Sequence, residues 1–493
     1  MTGRRGIIGI VTVLLFGAAL AACGGGTATD DTGTGVKSAT IQGQVSGTVF
    51  VAVDNGTNQE VGRVTAAGTP KRFSMTIPTG KNYRFYLMEN EDAGNTGRIY
   101  PVYMGAANVI ALTDNAVGRT IDLGMVNPDL ATGNAMPANN PVMGVPGVMA
   151  MGEDRNIPPS LSASAFGMGD MQGTWDIHSI ATSGTIGWMH GVLAIDNNGM
   201  GSLSSRFRNG IPWPSMDNVP FAMLPSGIVG MVHDNAFHGV MTRDRNMMVA
   251  TWTDNTGGSS LWIARRQGGA FHQEDLYGDW RFQRLTAGND NVTSGCAFGT
   301  TTISSPGAAA ISTIRAYGGG MNDNGWTLSM DNDGILTVAG DNSFHGAMSP
   351  DKNMIVATAT NAQGGYDFRV MMKTVSGVSY TMSDLMGVWM LNGVVSGDPS
   401  ARDWNYGQMV MDPSGQAMFS GMMGRMGAIT MPQLPLMMDP SGAVTVSVTG
   451  MGGGMMNTML DQSLTGIMNP SKDMAVISYS DGNGGYQLRM NVK

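Results

Sequence analysis

The stretch AFHGVMTRDRNMMVATWT, residues 236–253, decides the fold, because the chain repeats it twice. The other copies are SFHGAMSPDKNMIVATAT at 343–360 and LTGIMNPSKDMAVISYS at 464–480. Each copy contains two apolar runs of strand length joined by a short polar turn, and a Gly-Gly pair with a further strand-like run follows it. A segment that recurs in this way indicates three copies of one structural unit.

Three further landmarks occur in the same order in every copy. A Gly-x-Trp triplet opens each unit, at Trp175, Trp280 and Trp389, and two turn glycines follow it before the repeated stretch. Glycine between alternating runs is typical of hairpins, because tight turns require positive φ. The landmarks predict eight short antiparallel strands per unit. Closing eight hairpin-linked strands into a barrel removes the two exposed edges that an open sheet would leave.

The whole chain is predicted to be all-β. We expect an N-terminal β-sandwich at 38–127, a Pro-, Gly- and Met-rich linker at 128–168, and three tandem eight-stranded antiparallel up-and-down β-barrels at 169–272, 273–380 and 381–493. An alternative is a six-bladed β-propeller, in which each unit supplies two four-stranded blades. The two halves of a unit do not read alike, which favours the barrels.

The opening triplets at Trp175, Trp280 and Trp389 resemble the first strand of lipocalin-like (calycin) barrels. The resemblance covers residues 170–493 through short motifs. It implies that each tryptophan closes one end of its barrel. It also implies that a basic side chain from the last strand packs over the indole, a pairing worth about 0.5–2 kcal/mol. The basic residues in register are Arg266, Lys373 and Lys493.

The N-terminus resembles that of bacterial lipoproteins. It has a charged start, an apolar run too short for comfortable membrane spanning, and the closing tetrapeptide Leu-Ala-Ala-Cys, which is similar to a lipobox. The resemblance implies a signal peptide at 1–22, a lipid on Cys23 and attachment to a membrane without a transmembrane helix. Gly24 after the cysteine implies the outer membrane. Residues 23–37 are glycine-rich and predict a flexible tether.

Composition excludes several classes of function. The formal net charge is −9, and the sequence lacks the clustered Lys and Arg that neutralise phosphates, so nucleic acid is not an expected partner. If Cys23 carries a lipid, Cys296 is the one remaining cysteine, and no intramolecular disulfide is expected. Cys296 has no neighbouring histidine in sequence, so it is interpreted as a small buried hydrophobe and not as a nucleophile.

Methionine is the compositional outlier, at 44 residues. Most methionines stand in the apolar phase of strands, which fits an adaptable filler of the core. A glycine-rich loop near the C-terminus suggests a second interpretation, because closely spaced thioethers are soft ligands that favour Cu(I) in an exported protein. The candidate copper ligands are Met451, Met455, Met456 and Met459.

The histidines do not predict a catalytic or metal site. His238 and His345 occupy the same place in the first two units, but Thr465 stands there in the third. A ligand or base needed in every unit would be present in all three, so we expect a strand-end histidine bonded to a turn. The remaining four histidines lack metal-ligand spacing, and the chain has no Gly-x-Ser-x-Gly nucleophile elbow. No catalytic residues and no cofactor are predicted.

These patterns favour a lipid-anchored protein of the cell envelope with a non-catalytic binding role. The expected partners are the membrane, through the lipid, and either a small apolar ligand in the barrel mouths or an envelope protein. The alternatives are a periplasmic Cu(I)-binding protein and a purely structural envelope protein.

Overall fold

The computed structural model describes residues 36–91, 97–254, 257–288, 293–318, 326–400, 402–446, 464–481 and 484–493. The candidate signal peptide, the predicted lipid site Cys23, and the four candidate copper ligands of the C-terminal loop lie outside the described residues. Residues 37–493 form one compact unit.

The N-terminal domain is a sandwich of two β-sheets. One sheet has the order β4-β1-β8-β9 and the other β10-β7-β5-β2-β3, with β6 paired to β5. The sheets pack through aromatic side chains, since the rings of Phe50 in β2 and Phe73 in β4 stack 4.1 Å apart. The strands are β1 (Ser38–Val45), β2 (Val49–Asp54), β3 (Gln59–Thr65), β4 (Arg72–Pro78), β5 (Lys81–Glu89), β6 (Arg98–Pro101), β7 (Val109–Leu112), β8 (Thr120–Asp129), β9 (Asn134–Pro137) and β10 (Val148–Gly152).

The predicted linker at 128–168 is wrong in its first part, because it contains two strands of the sandwich. β9 pairs with β8, and β10 pairs with β7. Both strands lie at sheet edges, and four of the five residues of β10 are exposed. An exposed edge strand does not need the apolar alternation from which strands are predicted. The rest of the segment also packs on the sandwich, since Leu161 is buried with Val51 and Tyr86.

Three closed antiparallel barrels of eight strands follow, which confirms the predicted fold class. The propeller alternative is wrong, because the first strand of each unit pairs with both its second and its last strand. Two short extra strands, β14 and β31, pair with the third strand of the first and last barrels.

Barrel 1 contains β11 (Gly173–Ala181), β12 (Gly187–Ile195), β13 (Met200–Arg208), β14 (Ile211–Trp213), β15 (Met216–Met223), β16 (Ile228–Met231), β17 (Asp234–Met241), β18 (Met247–Thr253) and β19 (Ser259–Arg266). Barrel 2 contains β20 (Gly278–Ala287), β21 (Gly295–Ser304), β22 (Ala308–Gly318), β23 (Trp326–Met330), β24 (Ile335–Val338), β25 (Asp341–Met348), β26 (Met354–Thr360) and β27 (Tyr366–Lys373). Barrel 3 contains β28 (Gly387–Gly397), β29 (Trp404–Met411), β30 (Gln416–Gly424), β31 (Gly427–Ala428), β32 (Leu434–Met438), β33 (Ala443–Val446), β34 (Thr465–Met468), β35 (Met474–Ser480) and β36 (Gly485–Val492).

Short helical turns precede each barrel, and further turns lie in the sandwich. The α-helical turns are α1 (Met168–Met171) and α2 (Met382–Leu385), and the 3₁₀ turns span Asp114–Ala116, Pro141–Met143, Pro159–Leu161 and Gln273–Leu276. Each barrel tryptophan donates its indole N–H to the last carbonyl of the turn before it, which satisfies both buried groups. The acceptors are Met171, Leu276 and Leu385, at 2.7–2.8 Å.

The barrels are packed cores. A buried apolar cluster occupies the interior of each one, with the opening tryptophan among its members. In barrel 1 the cavity between Ile177, Phe221, Trp262 and their neighbours is about 20 Å³, which is room for a single water. Small eight-stranded barrels are commonly filled by side chains, and this cavity of barrel 1 is too small for the ligand expected in a barrel mouth.

The three barrels contact one another in a cycle. The first two strands of barrel 1 contact β26 and β27 of barrel 2, those of barrel 2 contact β34, β35 and β36 of barrel 3, and those of barrel 3 contact β17, β18 and β19 of barrel 1. At each junction, the first two strands of one barrel therefore contact the last strands of the next barrel. The three equivalent junctions close a ring around a pseudo-threefold axis.

This ring explains the repeated stretch. Its second apolar run forms β18, β26 and β35, and the first five residues of each of these strands are buried on both faces. One face fills the interior of the strand's own barrel, and the other joins a core shared by all three barrels and the sandwich. The side chains that these three strands contribute to the shared core are Met247, Val249, Met354, Val356, Met474 and Val476.

The sandwich docks onto barrels 1 and 3 through buried polar groups of β5 and β6. The Arg98 guanidinium, 1% exposed, donates to the carbonyls of Ser226 and Met241 in barrel 1, at 2.8 and 2.6 Å. Gln408 of barrel 3 donates to the Glu89 carboxyl at 2.7 Å. Burial raises the pKa of Glu89 to about 7.

Candidate functional site

The structure places a basic residue of the last strand over each opening tryptophan, in the pairs that the resemblance to lipocalin-like barrels implies. The guanidinium carbon of Arg266 lies 4.3 Å from the Trp175 ring centre. The corresponding ammonium distances are 5.3 Å for Lys373 over Trp280 and 5.0 Å for Lys493 over Trp389. Both lysines also donate to backbone carbonyls of the preceding turn. These groups cap the barrel ends and offer no open site.

The junctions between barrels carry equivalent polar residues with different chemistry. Three residues after each opening tryptophan stand His178, Gln283 and Asn392. His178 Nε2 and His345 Nδ1 of barrel 2 form a hydrogen bond of 2.9 Å. The Ser478 hydroxyl of barrel 3 donates to the Gln283 side chain, and the Thr251 hydroxyl of barrel 1 donates to Asn392 Oδ1 at 3.3 Å. The three bonds therefore share an equivalent residue on one side, while the partner lies in β25 at the first junction and in β35 and β18 at the other two.

The histidines of the repeated stretch are stacked on the preceding barrel of the ring. The rings of His345 and His190 lie 3.6 Å apart and nearly parallel. The rings of His238 and Tyr406 lie 3.7 Å apart. The expectation of a histidine bonded to a turn is wrong, because the sequence does not show which barrel covers each strand end.

Burial keeps the imidazoles between barrels 1 and 2 neutral. Desolvation lowers the pKa of His190 to about 4 and that of His345 to about 3. The pKa of His178 is well below its usual value, first through burial and then through its two histidine neighbours. This junction is a closed, uncharged cluster of rings.

The junction between barrels 3 and 1 opens into a cleft of about 580 Å³, which we call the interbarrel cleft. The β8–β9 turn of the sandwich forms one wall, β16 and β17 of barrel 1 form the second, and β28 and β29 of barrel 3 form the third. An adjoining cavity of about 390 Å³ shares Leu130, Ala131 and Tyr406 with it. The apolar lining of the cleft includes Leu130, Leu224, Ile228, Met231, Val240 and Met390.

Barrels 1 and 3 differ at one pair of strand positions beside the junctions. At the first junction Asp176 and Arg265 form a buried ion pair of 2.8 Å, and Arg265 reaches across to the carbonyl of Asp333 in barrel 2, at 2.6 Å. In barrel 3 the equivalent strand positions hold Met390 and Val492, which pair in the same register. Met390 lines the cleft.

Two polar groups in the cleft are available to a ligand. Within the described part of the chain, neither the Tyr406 hydroxyl nor the His238 ring has a hydrogen-bond partner. Burial lowers the pKa of His238 to about 4, so its imidazole is neutral and offers one donor and one acceptor. Asp234 already accepts hydrogen bonds from the Trp252 indole and the Ala236 amide, at 2.8 and 2.9 Å. The cleft can hold an apolar body and bond a few polar atoms.

Cys296 lies in the core shared by the barrels and the sandwich. It stands at the strand position that Trp188 and Trp404 occupy in the other barrels. The side chain is fully buried, and burial raises the pKa of its thiol to about 12. A thiol with that pKa is not a nucleophile at neutral pH.

The described ranges contain neither a metal-binding cluster nor a membrane-spanning helix. No group of three or more His, Cys, Asp and Glu side chains there has an arrangement suited to a metal ion. None of the helices described there has the length and hydropathy of a membrane span.

Comparisons with known proteins give distant structural matches only. No protein-family model matches the sequence, and no curated protein matches it. A protein of unknown function from the DUF3598 family of Nostoc punctiforme is 13% identical, with 42% of this chain and 97% of that chain covered and a TM-score of 0.17. Transferrin-binding protein B of Haemophilus parasuis is 11% identical, with 65% and 75% covered and a TM-score of 0.21. The same protein from Neisseria meningitidis is 9% identical over the same shares, with a TM-score of 0.19. These scores are too low to establish a common overall fold.

Proposed function

We propose that this chain is a lipid-anchored binding protein of the outer membrane that holds a small apolar molecule in the interbarrel cleft, without catalysing a reaction. The observation that carries the proposal is the cleft itself. Its volume of about 580 Å³ is in the range of small-molecule sites, and its walls are mostly apolar. The few polar groups that converge on it, Tyr406 and His238 among them, can orient a ligand.

The geometry favours the cleft over the barrel interiors. The cavity inside barrel 1 has room for one water, whereas the cleft lies between barrel 1, barrel 3 and the sandwich. Sites between domains are common, because the walls are supported by cores that do not depend on the ligand. The neutral His238 and the Tyr406 ring form a stacked platform on which a ring or chain of the ligand can lie.

Filling the cleft should abolish binding. A side chain added at Gly230, which lines the cleft, would meet no other atom within 4 Å, so Gly230→Phe should fold and place its ring in the cleft. Titration with the neutral fluorescent probe N-phenyl-1-naphthylamine should saturate for the unmodified protein, and Gly230→Phe should weaken the affinity by at least about tenfold.

The matched control is the same substitution at Gly169, which also has open space around it and is absent from the lining of the cleft. Gly169→Phe should bind the probe as the unmodified protein does. Equal affinity of Gly230→Phe and the unmodified protein, or no saturable binding to either, would overturn the proposal.

The anchor rests on the sequence of the N-terminus and has its own test. Metabolic labelling with radioactive palmitate in the native host should mark the unmodified protein. Cys23→Ser should remove the label, because the thiol that carries the lipid is lost. Cys296→Ala should stay labelled, since this cysteine is buried in barrel 2. Label on the Cys23→Ser protein would rule out the anchor.

A further inference from the structure

The charges around the interbarrel cleft are all of one sign. Asp234 lines the cleft itself, and Asp129 lines the adjoining cavity. Among the described residues that line these two spaces, none is Lys or Arg, and the one histidine is neutral. An anionic ligand would find no counter-charge in these walls.

The two carboxylates have neutral partners only. Asp129 accepts hydrogen bonds from the Ala131 amide and the Thr132 hydroxyl, at 2.9 and 2.8 Å. Asp234 accepts hydrogen bonds from an indole N–H and a backbone amide. Within the described part of the chain, neither Asp129 nor Asp234 forms an ion pair. Two half-buried carboxylates beside an apolar cleft therefore lack a cation, although a charge near low-dielectric walls attracts a counter-ion more strongly than one in open water.

Tyr406 lies where the two spaces meet, since it lines both of them. Its ring is an electron-rich surface, and the hydroxyl is free among the described groups. A cation placed near such a ring gains an attraction of its own, in addition to that of the carboxylates.

We infer that the ligand of the cleft is a cationic amphiphile, an amine or quaternary ammonium group on a hydrocarbon body. The hydrocarbon lies against the apolar side chains of β16, β17 and β28, and the cationic group lies near Tyr406, between Asp234 and Asp129. This inference rests on the proposed function and adds the charge of the ligand to it.

Competition against N-phenyl-1-naphthylamine tests the charge directly. Octyltrimethylammonium, octanol and octanoate share one chain length and differ in charge. The ammonium compound should displace the probe at a concentration about tenfold lower than octanol, and octanoate should be the weakest of the three. The ratio between ammonium and octanol is the quantity to follow, because a change in folding would weaken both competitors together.

Neutral variants of the two carboxylates should change that ratio. Asp234→Asn and Asp129→Asn should each lower the preference for ammonium by at least about threefold, with octanol affected little. Asp279→Asn, at an exposed position of barrel 2, should leave the ratio unchanged. If octyltrimethylammonium and octanol compete equally and Gly230→Phe still blocks probe binding, the inference of a cationic ligand is overturned and the proposed function stands. Failure of the probe to bind the unmodified protein would overturn both.

Discussion

Arg265→Val is expected to lower the free energy of unfolding by about 3–5 kcal/mol, because it leaves the buried Asp176 carboxylate without its cation. Both side chains of the pair are at most 5% exposed, so water cannot replace the lost partner. The substitution also removes the hydrogen bond from Arg265 to the carbonyl of Asp333, which joins barrel 1 to barrel 2. Urea unfolding followed by tryptophan fluorescence measures the change.

The chain itself provides the control for this experiment. Barrel 3 carries Met390 and Val492 at the positions equivalent to Asp176 and Arg265. The double variant Asp176→Met with Arg265→Val should recover most of the lost stability, since exchanging a buried ion pair for apolar groups is often close to neutral. A double variant as unstable as Arg265→Val alone would show that the ion pair is not the source of the effect.

His178→Gln should make the stability of the protein less sensitive to acid. The three imidazoles between barrels 1 and 2 have lowered pKa values in the native state, so between about pH 6.5 and pH 4 the unfolded chain binds protons that the native state does not. The free energy of unfolding therefore falls as the pH drops through this window. Each histidine contributes a slope of about 1.4 kcal/mol per pH unit.

The variant removes one of these slopes. Glutamine is the residue that barrel 2 carries at the same place, Gln283, where it accepts a hydrogen bond across its own junction. Urea unfolding from pH 6.5 to 4.5 should show a slope smaller by about 1.4 kcal/mol per pH unit than in the unmodified protein. Glu89, whose raised pKa gives a slope of opposite sign, is present in both proteins and cancels. Equal slopes would contradict the prediction, and the exposed His272→Gln serves as the reference substitution.

The barrels could be predicted from the sequence because their signals occur three times. A tryptophan with a preceding glycine, turn glycines and the repeated stretch would each be weak evidence in one copy. In three copies the same order is hard to obtain by chance. The sandwich strands β9 and β10 were missed because each occurs once, is short and has exposed side chains.

The cleft could not be predicted, because it depends on which outer faces meet. Strand patterns show that one face of β17 or β28 is buried inside a barrel, and they do not show what covers the other face. A signal did exist at equivalent positions that differ between the copies. Barrel 1 has Asp176 and Arg265 where barrel 3 has Met390 and Val492, but the sequence does not show which barrel each of these positions faces.

Carrying three barrels on one polypeptide frees each junction from the other two. In a trimer of identical chains, any substitution would appear at all three contacts at once. A substitution that opens a cleft at one contact would therefore weaken all three. In this chain, a single substitution changes only one of the three junctions. The junction of barrels 1 and 2 can therefore be tightly packed with imidazoles and an ion pair while the junction of barrels 3 and 1 contains a cleft. The stability lost at the cleft is lost at one junction and not at three.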